Sequence, residues 1–199
     1  NRFFVPWLNE ACKLLEEGVG STAQIDSVAR SAFNIGMGPF ALMNLTGPPI
    51  ALHSTDYLAK QLDTPRYIGT DSLRDLVEGG QLWEIGDEEE CDEDAKRIIS
   101  ERLLGQVFSV SAQIVEEEVC SMEDVDRGAK VGLRWAKGPF EIANEIGVSE
   151  ASRMAVNYSQ MAGIELPRWF SDRTEKFEFS YVDLAVEGEI ARVRLNRPE

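Results

Sequence analysis

The sequence predicts an all-α protein made of two copies of one helical unit, closed by a short C-terminal β-hairpin. Three observations predict it. Roughly the first 47 residues recur without a gap one hundred positions later, with about a dozen identities, and a repeat of that length marks a supersecondary unit used twice. Apolar residues recur at helical spacing through both copies, and strict alternation of apolar and polar residues appears only after Phe177. Start and stop signals repeat as well: Ser21 and Ser121 precede helical stripes, and Gly38-Pro39-Phe40 returns as Gly138-Pro139-Phe140.

In the first copy, Phe4, Trp7, Leu8, Ala11, Leu14 and Leu15 form one amphipathic stripe, and Gly18 stops it. Ser21 with Gln24 three residues later is a capping pair for a second helix carrying Ile25, Val28, Ala29 and Ala32. Asn34 to Gly38 makes a turn. Pro39 then takes the first position of a short third helix that ends at Gly47, with Pro48-Pro49 expected to enforce the break. A fourth helix follows over Ile50 to Leu62, with Leu52, Leu58 and Leu62 as its apolar members. The stretch to Glu93 is a connection holding one short helix near Asp71 to Glu78, stopped by Gly79-Gly80.

The second copy repeats the plan. A long helix from Asp94 to Glu118 carries Ile98, Ile99, Leu103, Leu104, Val107, Phe108, Ile114 and Val115. Val125, Ala129 and Val131 form the next stripe, a short helix ends at Gly147, and a last one runs from Ser149 to about Ala162. Val182, Leu184 and Val186, a turn at Glu187-Gly188, and then Ala191, Val193 and Leu195 read as a hairpin. A lone hairpin is marginal in water, so it should either lie on the helices or belong to a further domain. The expected units are 1–64, a connection over 65–93, a second helical copy over 94–172, and a final segment over 173–199.

Composition narrows the function. A formal charge of −15 repels nucleic-acid phosphates and acidic membrane surfaces, which excludes both as partners, and no apolar run approaches the roughly 18 residues of a membrane span. Cys12, Cys91 and Cys120 match no metal spacing and read as reduced thiols in a cytoplasmic protein. The chain begins at Asn1 without an initiator Met and stops just after an expected strand, so it is expected to be part of something longer.

Several residue groups could carry chemistry. Gly18-Val19-Gly20-Ser21-Thr22-Ala23 satisfies a dinucleotide-binding string, but a helix precedes it where the motif needs a strand, and a helix-to-helix turn is the better reading. His53, the single histidine, is expected on a helix in a structural or surface role. The acidic run Asp87 to Asp94 lacks the spaced ligands of a calcium loop and reads as a solvated connection that starts a helix. Asn1 heads an amphipathic helix, and on composition alone it would be a cap.

Asn1-Arg2-Phe3-Phe4-Val5-Pro6-Trp7-Leu8-Asn9-Glu10-Ala11, Leu15-Glu16-Glu17-Gly18, Ile25-Asp26 and Gly36-Met37-Gly38-Pro39-Phe40-Ala41-Leu42-Met43 together resemble the C-terminal helical domain of the 3-hydroxyacyl-CoA dehydrogenases, a fold of the 6-phosphogluconate-dehydrogenase C-terminal-like kind. The second copy resembles the same domain more weakly. Val186 to Glu199 is similar to the opening strands of crotonase-family enoyl-CoA hydratases. The resemblance implies a bifunctional enzyme of fatty acyl-CoA metabolism. It would oxidise the 3-hydroxyl of an acyl-CoA with NAD, using a His-Glu pair in a Rossmann domain that this sequence does not contain.

It also implies roles for particular residues. Asn1 matches a family Asn that hydrogen-bonds the substrate oxygen or positions the histidine, and Phe4, Met37 and Pro39 fall where the family faces the acyl chain. The second copy, with Glu101 for Asn1 and Lys137 for Met37, would be non-catalytic and would occupy the place of a partner subunit. The implied partners are an acyl-CoA substrate and the Rossmann and crotonase domains of the same chain, and a homo-oligomer is compatible with them. Gly80 to Gly86 departs from the glycine- and lysine-rich turn of the family. A non-catalytic scaffolding module and the helical domain of another Rossmann-type hydroxy-acid dehydrogenase stay open beside this reading.

Overall fold

The computed structural model describes residues 1–87, 90–180 and 182–195, and it is helical apart from one terminal hairpin. The first half runs through α1 (Phe4–Glu16), α2 (Thr22–Phe33), α3 (Pro39–Thr46) and α4 (Pro48–Leu62). A 3-10 turn at Pro65–Tyr67 and α5 (Asp71–Glu78) lead to α6 (Glu93–Glu116), which opens the second half. It is followed by α7 (Met122–Arg127), a π-helical turn at Gly128–Gly132, α8 (Pro139–Ile146), α9 (Val148–Ala162) and α10 (Arg168–Ser171).

The same local devices build both halves. Ser21 accepts from Gln24 N and the Gln24 side chain accepts from Ser21 N, closing the expected capping box. Ser121 accepts from Asp124 N in the same way. Asp26 accepts the N–H groups of Phe40 at 2.8 Å and Ala41 at 2.9 Å, and Asp126 accepts those of Phe140 and Glu141, both at 2.9 Å. Each carboxylate thus covers two unpaired donors at a helix start. The carboxylate lies so close to the preceding turn that a Cβ on Gly38 would come within 2.4 Å of it, and one on Gly138 within 2.2 Å, which explains why both halves carry glycine there.

The structural repeat outlasts the sequence repeat. Asn44 donates to Trp83 O and accepts from Trp83 N, both at 2.9 Å, while Asn144 does the same with Phe177 at 2.9 and 2.8 Å. Trp83 meets Phe40 edge-on with ring centroids 5.0 Å apart, and Phe177 meets Phe140 at 5.0 Å. Trp83 and Phe177 therefore close their halves identically, although they stand 94 positions apart. The stretch expected as a connection is accordingly part of the core, burying Arg66, Tyr67, Leu73 and Trp83.

The two halves share one buried core, centred on α6. This helix packs on α1 and α2 from the first half and on α8 and α9 from its own. At the α6–α9 crossing a Cβ on Gly105 would sit 2.5 Å from the Met154 carbonyl oxygen, so the two backbones touch through a position that admits no side chain.

Some expectations need correction. Pro48 and Pro49 do not lie outside the fourth helix but form its first turn, because the chain reverses at Gly47, whose φ of +99° suits glycine. On α4 the buried residues are Pro48, Ala51 and Thr55, with Leu52, Leu58 and Leu62 only half-buried. Ile98 is 37% exposed while its neighbour Ile99 is fully buried, so the buried face of this turn of α6 passes through Ile99. Val131 is 75% exposed because this position faces away from the core, as the exposed Ser31 does at the matching place on α2, while Trp135 turns inward and its backbone N–H reaches Ala129 O.

The hairpin pairs β1 (Val182–Glu187) with β2 (Ile190–Leu195), with Val182 opposite Leu195 and Leu184 opposite Val193. The turn is Gly188-Glu189 rather than Glu187-Gly188, since Glu187 still pairs with Ile190 and Gly188 takes the φ of +63°. Its apolar residues are 53–77% exposed, so the helices do not cover it. Residues 196–199 of the hydratase-like stretch, and Glu88 and Glu89 of the acidic run, lie outside the described residues.

Two stability outcomes follow from these contacts. Gly105→Ala should destabilise the protein by about 2 kcal/mol, because the methyl meets rigid backbone. Glu118 holds the left-handed turn, φ +54°, that Gly18 holds in the first half, and Glu118→Gly should stabilise by about 1 kcal/mol. Urea unfolding of the 199-residue chain checks both, and opposite signs would refute these packing arguments.

Candidate functional site

The expected site lies where the chain leads into α1. Phe3, not Asn1, is the residue at the helix boundary, and no side chain caps the start. The capping role that composition suggests for Asn1 is therefore corrected: its carbonyl accepts from Val5 N at 2.9 Å, and its side chain stays in an exposed residue. Phe4 follows in the first turn, half-buried and stacked on Trp7 at 5.9 Å. The helix start thus brings Asn1 and Phe4 together. Pro39 is buried at the first position of α3, and Met37 stands 38% exposed in the turn before it. Among the described residues, no hydrogen bond or ring contact links Met37 to Asn1 or Phe4.

Without a cap, the segment is held from the side. Tyr67 Oη donates to Arg2 O at 2.7 Å, Arg2 Nη1 donates to Glu117 Oε2 at 2.6 Å, and Phe3 meets Trp135 edge-on at 5.7 Å. The hydrogen bond to Glu117 raises the Arg2 guanidinium, and burial raises the Tyr67 phenol, so the first stays charged and the second neutral. Trp135 also packs on Trp7 and Phe33, at 5.8 and 4.8 Å, which makes an aromatic cluster drawn from both halves. Sequence reasoning missed Tyr67, Glu117 and Trp135. For Glu117 a signal existed, since Arg2/Arg102 and Glu17/Glu117 are all retained between the copies.

These four residues form reciprocal ion pairs. Arg2 reaches Glu117, and Arg102 reaches Glu17, which is the same contact with the halves exchanged. A residue pair repeated with its members swapped is the mark of a two-fold interface. The symmetry is imperfect. Arg102 Nε also donates to Glu10 at 2.8 Å, and the position matching Glu10 in the second half is Val110. Beside this pair, buried Arg66 donates through Nη2 to Gln113 Oε1 at 2.9 Å, and its carbonyl accepts from Asn9 Nδ2 at 3.1 Å. Burial pulls the Arg66 guanidinium below its usual range, since no carboxylate bonds it directly.

Other candidates resolve into structural roles. Gly18 takes φ +69° after α1, its N–H bonds Leu15 O and the next N–H bonds Leu14 O. Glu118 repeats these bonds to Val115 and Ile114. The glycine string is therefore a helix stop, preceded by a helix, and does not fit a dinucleotide pyrophosphate. His53 is exposed on α4. Asp92 caps α6 through Ala95 N, and no cluster that could hold a metal occurs among the described residues. The three thiols are free, and burial pushes that of Cys12 up to about 12. Among the described residues, no helix is long and apolar enough to cross a membrane.

A two-fold helical assembly, with an uncapped helix start pinned against its seam, is the class of structure these residues define. The family model described as 3-hydroxyacyl-CoA dehydrogenase, C-terminal domain, matches residues 1–89 and 98–179, and the chain belongs to that family. Among similar proteins, a probable 3-hydroxybutyryl-CoA dehydrogenase of Deinococcus radiodurans is 33% identical over 82 residues, covering 41% of this chain and 30% of that protein. The 3-hydroxybutyryl-CoA dehydrogenase of Clostridioides difficile is 32% identical over 82 residues, covering 41% and 29%. The matches therefore span less than a third of these relatives. The crystal structure of 3-hydroxybutyryl-CoA dehydrogenase from Escherichia coli K12 superposes with a TM-score of 0.71, covering 87% of this chain and 58% of that one. At 15% identity it shows the shared fold alone.

The seam's asymmetry has a measurable consequence. Arg102→Ala leaves Glu10, 1% exposed, without its cation and should cost about 3 kcal/mol. Arg2→Ala breaks a solvent-facing pair and should cost under about 1 kcal/mol. Equal losses in urea unfolding would contradict this assignment of buried and exposed pairs.

Proposed function

We propose that this chain is the helical, substrate-facing part of an NAD-dependent 3-hydroxyacyl-CoA dehydrogenase, which oxidises 3-hydroxyacyl-CoA to 3-ketoacyl-CoA. The observation that carries this reading is the family match over both halves, joined by ion pairs that exchange under a two-fold relation. In this reading the duplicated half, residues 94–172, fills the place of a second subunit for residues 1–64. The residues present do not fit NAD, so NAD and the catalytic His-Glu pair belong to a Rossmann portion elsewhere in the polypeptide. The enzyme is cytoplasmic, and the exposed hairpin at 182–195 opens an enoyl-CoA hydratase domain, which would cover its apolar face.

Asn1 is the chain's own contribution to the reaction. A neutral amide can donate to the substrate oxygen as charge develops there, without competing for the proton that leaves. Phe4, Met37 and Pro39 supply apolar surface for the acyl chain. The second half lacks this equipment. Glu101 of α6 is tied to Arg153 of α9 at 3.0 Å, and Lys137 to Glu145 at 2.6 Å, so both positions are engaged in ion pairs.

The alternative is a scaffolding module, and turnover separates the two. In the full-length polypeptide Asn1→Ala should lower kcat for NAD-linked oxidation of 3-hydroxybutyryl-CoA by about 10²-fold. The 199-residue chain alone should neither reduce acetoacetyl-CoA with NADH nor hydrate crotonyl-CoA. Full-length turnover unaffected by Asn1→Ala would favour the scaffold, and turnover by the chain alone would overturn the division of labour.

A further inference from the structure

We infer that Glu117 and Trp135, both from the second half, are positioning residues for Asn1, so that the half without catalytic equipment sets the geometry of the half that has it. The inference rests on the reading of Asn1 given above.

Among the described residues, few contacts reach the segment that carries Asn1. Its segment precedes the first helical turn, has no side-chain cap, and is tied to α1 by one backbone bond from Val5 N. An uncapped first turn frays readily, because its donors are as well served by water. Of the three lateral contacts, Tyr67 belongs to the first half and fixes only the Arg2 carbonyl. Glu117 holds the Arg2 side chain and Trp135 holds the Phe3 ring, so the residues adjoining Asn1 are fixed from across the seam.

Trp135 is delivered there by a feature that the first half lacks. The first half continues α2 as regular helix to Phe33, whereas the second changes to a π turn over Gly128–Gly132. Both halves close with a left-handed residue, Asn34 at φ +50° and Arg134 at φ +57°, but the next N–H bonds Arg30 O at 3.1 Å in the first half, whereas Trp135 N bonds Ala129 O, one position further back, at 3.2 Å. The irregular backbone places a 4%-exposed indole between Phe3, Trp7 and Phe33. The matching residue in the first half is Ile35, only half-buried. The π turn thus brings a buried indole against Phe3, where the matching position of the first half holds a half-buried aliphatic residue.

The test is a double-mutant cycle in the full-length enzyme, measuring kcat and KM for 3-hydroxybutyryl-CoA. Glu117→Gln should lower kcat about three-fold and Trp135→Leu about ten-fold, with KM changed less than about two-fold, because misplacement of a donor acts on the transition state. Trp135→Phe should restore most of the turnover. In an Asn1→Ala background neither Glu117→Gln nor Trp135→Leu should cause further loss. Circular dichroism melts accompany each variant, and Glu117→Gln decides the matter where Trp135→Leu fails to fold.

Losses that persist undiminished in the Asn1→Ala background, or unchanged kcat in both seam variants while Asn1→Ala is impaired, would overturn this inference and leave the role of Asn1 standing. A fully active Asn1→Ala enzyme would remove the Asn1 reading itself, and this inference with it.

Discussion

Burial of α1 and α2 against α6 is the contact on which the rest of the structure depends. The first half carries an apolar face that includes Trp7, Leu14, Ile25 and Phe33, all at most 1% exposed in the folded chain. Four short helices cannot close over such a face alone, and at roughly 25 cal/mol per Å² leaving it open would remove much of the stability of a domain this size. The second half supplies the cover. Its helix α6 lies between the two sets of helices, and Gly105 lets α9 approach so closely that the second half stays thin behind it.

That cover is built as an interface folded into one chain. Arg2 with Glu117 and Arg102 with Glu17 are the same pair seen from two sides, and Asp26 with Gly38 and Asp126 with Gly138 repeat one helix start. The halves differ at particular positions. Glu10 of the first half buries a carboxylate against Arg102 where the second half has Val110, and the second half has the π turn and Trp135. The two-fold relation survives where it carries packing. It is lost at Asn1 and Met37, where the second half has residues engaged in ion pairs.

Much of the fold was legible in the sequence because its signals are local. Ser21 with Gln24, Gly18 after α1, Pro39 at the start of α3 and the alternation after Val182 each act within a few residues, and each appears in the structure as read. Errors arose where distance mattered. Ile98 and Val131 have the right hydrophobicity but sit at positions that turn away from the shared core. Trp83 and Phe177 serve as equivalents without any offset of one hundred to announce it, since what they share is a pair of backbone bonds to an Asn. The candidate site could be picked out only by resemblance, as Asn1, Phe4, Met37 and Pro39, while the contacts of Tyr67, Glu117 and Trp135 with Arg2 and Phe3 could not be read, because they come from distant segments.

The sequence by itself determined the helical class, most helix boundaries within a residue or two, and the acidic character of the chain. These depend on periodicity, capping and net charge, which are properties of short segments or of simple sums. Only the tertiary structure decided that the copies meet along α6 as exchanged ion pairs, that a presumed connection is core, and that Trp135 and Glu117 stand beside Asn1's neighbours. Those relations join residues tens to more than a hundred positions apart, and they come into being only when apolar faces from distant segments are removed from water together.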